Sequence, residues 1–229
     1  MAGTAYGVGV GPGDPELVTL KATRVVGACD VVAFPGRDRK TSVAFEIAAA
    51  AMPWLGEKEL MALPAPMTDD RAVVAEAQRT NARHVEHELD AGKDVAVLVL
   101  GDPGIYSTFS HMQLTLQDDG YHVELVSGVP SFCAAAARLR VPLAMWDEPL
   151  HVIPLAHGNP IPTLAGTQVL MKSGSRMAEL REAARRTGRE LRAVERCGMD
   201  GERVFLCTDH VPDQLDYLSV ALLSPARHL

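Results

Sequence analysis

The chain has 229 residues, 47% of them hydrophobic, and a formal net charge of −7 at pH 7. That length and apolar content suffice for one large or two small domains with a sizeable core, and the acidic balance, with a pI near 5.6, excludes a general attraction for nucleic acid. No apolar run approaches the roughly 18 residues a membrane span needs, and no basic segment followed by an apolar one opens the chain, so a cytoplasmic protein with no membrane partner is expected.

Tyr6 to Val10 alternates small and apolar residues and runs into glycines and prolines, as a strand entering a turn does. The surrounding stretch, "GVGVGPGDPELVTL" from Gly7 to Leu20, resembles a dinucleotide phosphate loop only superficially. The fingerprint needs glycines at G-x-G-x-x-G, and the last position falls on Pro12 in one frame and on Asp14 in the other. Pro12 and Pro15 have no N–H to donate, while Asp14 and Glu16 would set negative charge beside an anion, so this loop is built against phosphate.

Leu17 to Ala28 then reads as a helix and Cys29 to Phe34 as a second strand, ended by Pro35-Gly36. The "GRDRKTS" loop that follows carries Arg37, Arg39 and Lys40; it is either an anion-binding cluster or an ordinary charged surface loop. Thr41 to Met52 is helical, and Arg71 to Ala91 is a long polar helix with one apolar face, stopped by Gly92. Asp94 to Leu100, "DVAVLVL", is too uniformly apolar for an edge and belongs in the middle of a parallel sheet.

That strand runs into "LGDPGIYST", Leu100 to Thr108, where ligands of parallel sheets gather. Asp102 is placed to accept hydrogen bonds, and Pro103-Gly104 forces a turn that exposes main-chain groups; the plain alternative is a strand-to-helix turn capped by Ser107 or Thr108. After Gly120 the pattern restarts. Strands are expected at Tyr121 to Val126, Leu150 to Pro154, Gln168 to Lys172, Leu191 to Glu195, Val204 to Cys207 and Tyr217 to Leu223. Helices are expected at Ser131 to Leu139, with Ser131 as N-cap, and at Met177 to Thr187. The alternation makes both halves α/β domains, 1–120 and 121–229, closely packed with a ligand cleft between them. The alanines of "SGVPSFCAAAARL" suit tight helix-on-sheet packing, whereas Ser131 and the backbone of Pro130 are ligand candidates. "VLMKSG" and "VERCGM" are further strand ends.

Cys29, Cys133, Cys197 and Cys207 are scattered without a C-x-x-C pair and read as buried free thiols. His84 and His87 fit a solvated helix face, and His151 and His157 flank an irregular stretch, so no protein-bound metal is expected.

Taken in order, "GVGVGPGDPELVTLKA", "GDPGIYST", "VSGVPSFCAAAARLRVPLA", "VLMK" and "ERCGMDGERVF" resemble the tetrapyrrole (corrin/porphyrin) methylases over nearly the full chain. Within that family "IYSTF", "PSFCAAAARL" and "ERCGM" are similar to the branch that methylates carbon 20 of precorrin-2 or cobalt-precorrin-2 in cobalamin biosynthesis. A uroporphyrinogen-III C-methyltransferase would usually carry a second glycine where Leu100 stands and "ITS" in place of "VPS". Diphthine synthase shares the opening loop and not the later stretches. A non-catalytic adenosine-ligand-binding module is the rival from another class.

The resemblance implies two α/β domains, a homodimer, S-adenosyl-L-methionine as methyl donor and S-adenosyl-L-homocysteine as product. It implies donor contacts at Pro12, Leu100, Gly101, Asp102, Ile105, Tyr106, Ser107, Pro130, Ser131, Met171 and Cys197, the last standing where relatives often have glycine. Asp102 would accept from the donor's polar groups, and Met171 would cover its adenine. The implied substrate is a tetrapyrrole rich in carboxylates, for which Arg37, Arg39 and Lys40 are the first candidates, followed by Lys172 and Arg176, with Asp14 in the same loop cluster. The proton released from the methylated carbon has Asp14, Tyr106 or water as possible acceptors.

Overall fold

Val95–Val99 (β4) is buried at every position, as an uninterrupted apolar strand covered on both faces must be. It lies at the centre of a five-stranded parallel sheet with Thr4–Gly9 (β1), Val31–Pro35 (β2), Glu59–Leu63 (β3) and His122–Val126 (β5), in the order β3-β2-β4-β1-β5. The computed structural model describes residues 1–66, 68, 70–155 and 160–226 and divides into two units, Met1–Pro130 and Ser131–Leu229.

In the first unit the helices are Leu20–Ala28 (α1), Val43–Ala51 (α2), Arg71–Asp90 (α3) and Phe109–Asp118 (α4). Helix α3 turns Ala82, Val85 and Leu89 to the sheet, and α4 turns Phe109, Met112 and Leu116 to it; these join Ala5, Val31, Ala33, Val95 and Val97 in one core cluster. The i, i+3, i+7 spacing makes each set one helical face.

Local chemistry sets the element ends. Helix α1 begins at Leu20, three residues later than the expected Leu17, because the Thr19 hydroxyl accepts from the Ala22 N–H at 3.1 Å, while Pro15–Leu17 forms a separate short 3₁₀ turn capped by Asp14. Side-chain acceptors cap α2 (Ser42) and α3 (Asp70) in the same way. Because all five strands run in parallel, the loops after β1, β2, β4 and β5 open on one rim of the sheet.

The expected break near Gly120 is corrected. Strand β5 pairs with β1 in the first sheet, Thr4 opposite His122 through Val8 opposite Val126, so the first unit runs to Pro130. Strand β1 pairs with β4 on one edge, and β5 supplies the parallel partner for the main-chain groups of its other edge. Strand β3 and helix α4 have no clear counterpart in the sequence pattern, β3 being a half-exposed edge strand with no clean alternation.

The second unit comprises Ser131–Leu139 (α5), Leu150–Pro154 (β6), Thr167–Met171 (β7), Met177–Thr187 (α6), Arg189–Glu195 (β8), Arg203–Phe205 (β9) and Ser219–Pro225 (β10). Its sheet order is β6-β7-β10-β8-β9. Only β6 and β7 are parallel neighbours; β10 inserts antiparallel between β7 and β8, and β9 folds back antiparallel on β8. The alanines of α5 are buried at Ala134, Ala135 and Ala136, and the helix packs on β8, β9 and β10, the close approach that small side chains permit. Leu170, Leu180, Leu191 and Leu223 centre the second core.

Cys29 and Cys197 are buried, but Cys133 is exposed and Cys207 intermediate, which corrects the expectation of four buried thiols; all four are free. Burial pushes the Cys29 thiol up to about 12, so it stays protonated and inert. His157 lies outside the described residues. Among the described residues no helix is long and apolar enough to cross a membrane, and no three His, Cys, Asp or Glu residues are grouped to hold a metal ion.

Leu89 and Leu170, both fully buried, fill the two cores. Leu89→Ala and Leu170→Ala should each lower the unfolding free energy by about 2–5 kcal/mol in urea titrations. Leu114→Ala, at a residue 60% exposed, should change it by less than about 0.5 kcal/mol.

Candidate active site

Three loops of the first unit meet on the sheet rim: 10–14 after β1, 100–108 after β4 and 127–130 after β5. Gly11 and Gly101 form an isolated bridge, the Gly101 N–H donating to the Gly11 carbonyl at 2.8 Å and the Gly11 N–H to the Gly101 carbonyl at 3.3 Å. A Cβ on Gly9 would lie 2.6 Å from both the Gly101 oxygen and the Gly128 nitrogen, and one on Gly128 would lie 2.1 Å from the Gly101 oxygen. Gly9 and Gly128 are thus required by main-chain contact, with no phosphate in the argument. Gly128 was missed as a site residue; a glycine two residues past the end of an expected strand was the available signal.

Asp102 closes this junction. Its Oδ1 accepts from the Gly104 N–H at 2.8 Å, and its Oδ2 accepts from the Gly128 N–H at 3.0 Å. The carboxylate expected to face the donor therefore has a main-chain partner on each oxygen and holds two loops together. Around it Leu100, Asp102, Ile105 and Ser107 are half-buried, Gly101 is buried, and Tyr106 is 46% exposed. Tyr106 takes a left-handed φ of 49°, a conformation that costs a side-chain-bearing residue energy and that turns the chain sharply between Asp102 and α4. Ser107 Oγ accepts from the Phe109 N–H at 3.0 Å, so this serine serves the start of α4.

Pro12 is buried in the first loop. Asp14 Oδ1 accepts from the Glu16 N–H at 2.9 Å, which makes Asp14 a turn cap with its other oxygen available. Pro130 is half-buried at the end of the third loop. Residues 10–19, 100–108 and 127–130 contain no Lys, Arg or His. Their side chains are carboxylates, hydroxyls and the apolar Leu100 and Ile105, a set suited to a neutral or cationic ligand with an apolar face and hostile to phosphate. A donor with a sulfonium charge and an adenine ring fits that set. Arg37, Arg39 and Lys40 follow β2 on the same rim and are all exposed.

In the second unit Met171 ends β7, Lys172 follows it, and Cys197 lies just past β8, on the edge where β10 begins. Met171 is half-buried and Cys197 buried; the Met171 carbonyl accepts from the Leu155 N–H at 2.9 Å. Lys172 and Arg196 both take left-handed φ values, 55° and 51°, at equivalent strand ends. Ser131 is the first residue of α5 and half-buried.

The turn after β8 is anchored by Glu202, whose Oε2 accepts from the Gly198 N–H at 2.6 Å and whose Oε1 pairs with Arg138 at 2.8 Å. Burial raises the Glu202 pKa, but the Arg138 and Gly198 hydrogen bonds outweigh it and hold the carboxyl below its ordinary range. Glu195 is buried; the Arg203 hydrogen bond holds its carboxyl low against burial, aided by the Asp216 N–H at 2.6 Å. Arg176, expected among the substrate cations, is engaged with Glu179 at 2.7 Å and with the Leu155 carbonyl at 3.4 Å, an assignment that fixes the start of α6.

A parallel sheet with a glycine junction at its carboxyl rim, followed by a mixed five-stranded unit, is the frame in which the five sequence motifs sit. Residues 4–209 match the family model for tetrapyrrole (corrin/porphyrin) methylases, and the chain belongs to that family. It is 36% identical over 244 residues to the cobalamin biosynthesis protein CobIJ of Mycobacterium tuberculosis, an alignment that takes in 98% of this chain and 46% of CobIJ. The chain thus spans about half the length of that relative. It is 31% identical over 237 residues to the precorrin-2 C(20)-methyltransferase of a Sinorhizobium species, covering 96% of this chain and 95% of that one. Among solved structures, the uroporphyrin-III C-methyl transferase of Thermus thermophilus complexed with S-adenyl homocysteine shares the fold with a TM-score of 0.70 and 24% identity, over 97% of each chain.

Removing the Asp102 carboxylate leaves two N–H groups without their acceptor, so Asp102→Ala should lower stability by about 2 kcal/mol in chemical denaturation. Asp102→Asn should recover part of that loss at most, because an amide presents one acceptor where two N–H groups need one each. The depressed Glu195 carboxyl contributes stability above its unfolded pKa of about 4.3 that is lost as the pH falls through the lower folded value. Glu195→Gln should make the acid-side loss of stability shallower than in the wild type, read from unfolding midpoints between about pH 2 and 6.

Proposed function

We propose that this protein is an S-adenosylmethionine-dependent C-methyltransferase that methylates carbon 20 of precorrin-2 or cobalt-precorrin-2 in cobalamin biosynthesis. The observation that carries the reading is the alignment with the Sinorhizobium precorrin-2 C(20)-methyltransferase across nearly the whole of both chains. "IYSTF", "PSFCAAAARL" and "ERCGM" support the same branch, as do Leu100 and "VPS" at positions where uroporphyrinogen methyltransferases differ. More than half of CobIJ lies outside the alignment, and none of the activity of that part is carried over.

S-adenosylmethionine supplies a methyl group on a sulfonium, whose departure as a neutral thioether needs no metal and little acid assistance. What remains for the protein is orientation, worth about 7–11 kcal/mol when carbon, methyl and sulfur are held in line. The Asp102 clamp sets the Leu100–Ser107 loop against Gly11 and Gly128, so that Leu100, Ile105 and the main chain of Gly101 stand as a fixed surface. Pro12 and Pro130 border that surface in the neighbouring loops, and Ser131, Met171 and Cys197 are the donor contacts assigned to the second unit. The carboxylates of Asp14 and Asp102 favour the sulfonium charge over a phosphate. Asp14, with one oxygen available, Tyr106 or water takes the proton lost from carbon 20, and which of the three does so is left open. Lys172 is kept as a substrate contact, and the active form is a homodimer.

The test is mass spectrometry of the tetrapyrrole after incubation of purified protein and S-adenosylmethionine with precorrin-2, with and without inserted cobalt. Gain of one methyl on one or both forms is the expected result and identifies the form used. Methylation of uroporphyrinogen instead would reassign the substrate within the family. Binding of S-adenosylmethionine without turnover of any of the three would support a non-catalytic module.

A further inference from the structure

The glycine loops have no cationic side chain for the carboxylates of a tetrapyrrole, and the cations on the same rim are concentrated in the loop between β2 and α2. Resting on the proposed reaction, we infer that Arg37, Arg39 and Lys40 form the anchoring site for the peripheral carboxylates of the tetrapyrrole and position the macrocycle over the rim.

Four observations place the site. The loop leaves the strand next to β4: β2 pairs with β4 from Val31 opposite Val95 through Ala33 opposite Val97, and the loop begins three residues beyond that pairing, on the rim that the strand leading into Leu100 also reaches. The loop is anchored at both ends, by the Gly36 N–H donating to the Leu63 carbonyl at 2.9 Å and by buried Ser42 capping α2 through the Phe45 N–H at 3.3 Å.

Its single acid is turned onto the main chain. Asp38 Oδ1 accepts from the N–H groups of Lys40 at 2.9 Å and Thr41 at 3.0 Å, and the Thr41 hydroxyl lies 3.2 Å from the same oxygen. The carboxylate that could have neutralised a neighbouring guanidinium instead shapes the short turn Arg39–Thr41. Finally, Arg37, Arg39 and Lys40 are all exposed and take part in no ion pair among the described residues. Elsewhere in the same unit Lys93 is paired with both Glu59 and Glu88 at 2.8 Å.

The rim thus separates two charges. Acidic and apolar loops face the cationic donor, and three unpaired cations stand where a polycarboxylate can be held by ion pairs at its edge. Arginine suits this task through bidentate contact with a carboxylate, and lysine adds a mobile point charge.

The experiment compares wild type with the triple variant Arg37→Ala, Arg39→Ala, Lys40→Ala, and with a control of equal charge loss, Arg24→Ala, Arg79→Ala, Arg83→Ala, on α1 and α3. Steady-state methylation should show KM for the tetrapyrrole raised about tenfold in the loop variant, from three exposed ion pairs of modest strength each. Its kcat and its S-adenosylmethionine affinity by calorimetry should stay as in wild type. The wild-type KM should rise with ionic strength while that of the loop variant stays nearly flat. Arg37→Lys with Arg39→Lys should restore most of the lost affinity.

Independent of turnover, uroporphyrin fluorescence titrations should show weaker binding in the loop variant than in wild type, and no such difference with the octamethyl ester of uroporphyrin. Loop-dependent uroporphyrin binding by a protein that methylates none of the tetrapyrroles would support the anchoring site while overturning the assigned reaction. An unchanged KM and unchanged uroporphyrin binding in a loop variant with a wild-type circular dichroism spectrum would overturn the anchoring site, as would an equal KM increase in the control.

Discussion

The carboxylate of Asp102, accepting one main-chain N–H on each oxygen, is the interaction on which the active-site rim depends. It ties the loop after the central strand to the loop after β5, across a junction where Gly9 and Gly128 approach the Gly101 carbonyl too closely for any side chain. Charge-assisted hydrogen bonds to N–H groups are stronger than neutral ones, and two from one side chain fix both distance and angle. A methyl transfer that relies on alignment needs such fixed surfaces, because catalysis by orientation vanishes when the bound groups are free to drift.

Around that junction the first sheet distributes chemistry by strand. Parallel strands bring all their carboxyl ends to one side, so loops far apart in sequence, such as 36–42 and 100–108, share a rim without touching in the chain. This lets one edge carry acidic and apolar loops beside a basic one. The protein keeps a net charge of −7 and still carries a local cluster of exposed cations at Arg37, Arg39 and Lys40, because screening limits the reach of the remaining acids to about 10 Å. Lys172 and Arg196 hold left-handed conformations directly after strands β7 and β8, where the chain turns at once instead of continuing outward, and Tyr106 holds one further along the loop that follows β4.

Much of this was legible in the residues. The run Val95–Val99 announced its central position by being apolar throughout, and α5, β6 and α6 lie where hydrophobic spacing and turn residues put them. The glycine-rich opening departs from a phosphate loop on local facts, two prolines and two acids. The role of Asp102 was less legible. Its position at a strand end marked it as an acceptor, but its partner Gly128 is far along the chain, and nothing local states that the second oxygen is taken. Arg176 shows the same limit: a cation beside a strand end looked available for substrate, yet Glu179, one helical turn on, engages it.

The sequence by itself determined most of the segments that become strands and helices, β3 and α4 excepted, which family they spell, and which residue types stand at the strand ends, because periodicity, capping and turn chemistry act over a few residues. Only the tertiary structure decided that β5 closes the first sheet, that β10 inserts antiparallel between β7 and β8, and which polar groups at the rim are already engaged. Strand partners and hydrogen-bond acceptors are chosen among groups distant in the chain, by how completely each buried N–H and carbonyl can be satisfied at once, and that competition is settled only when the whole sheet has formed.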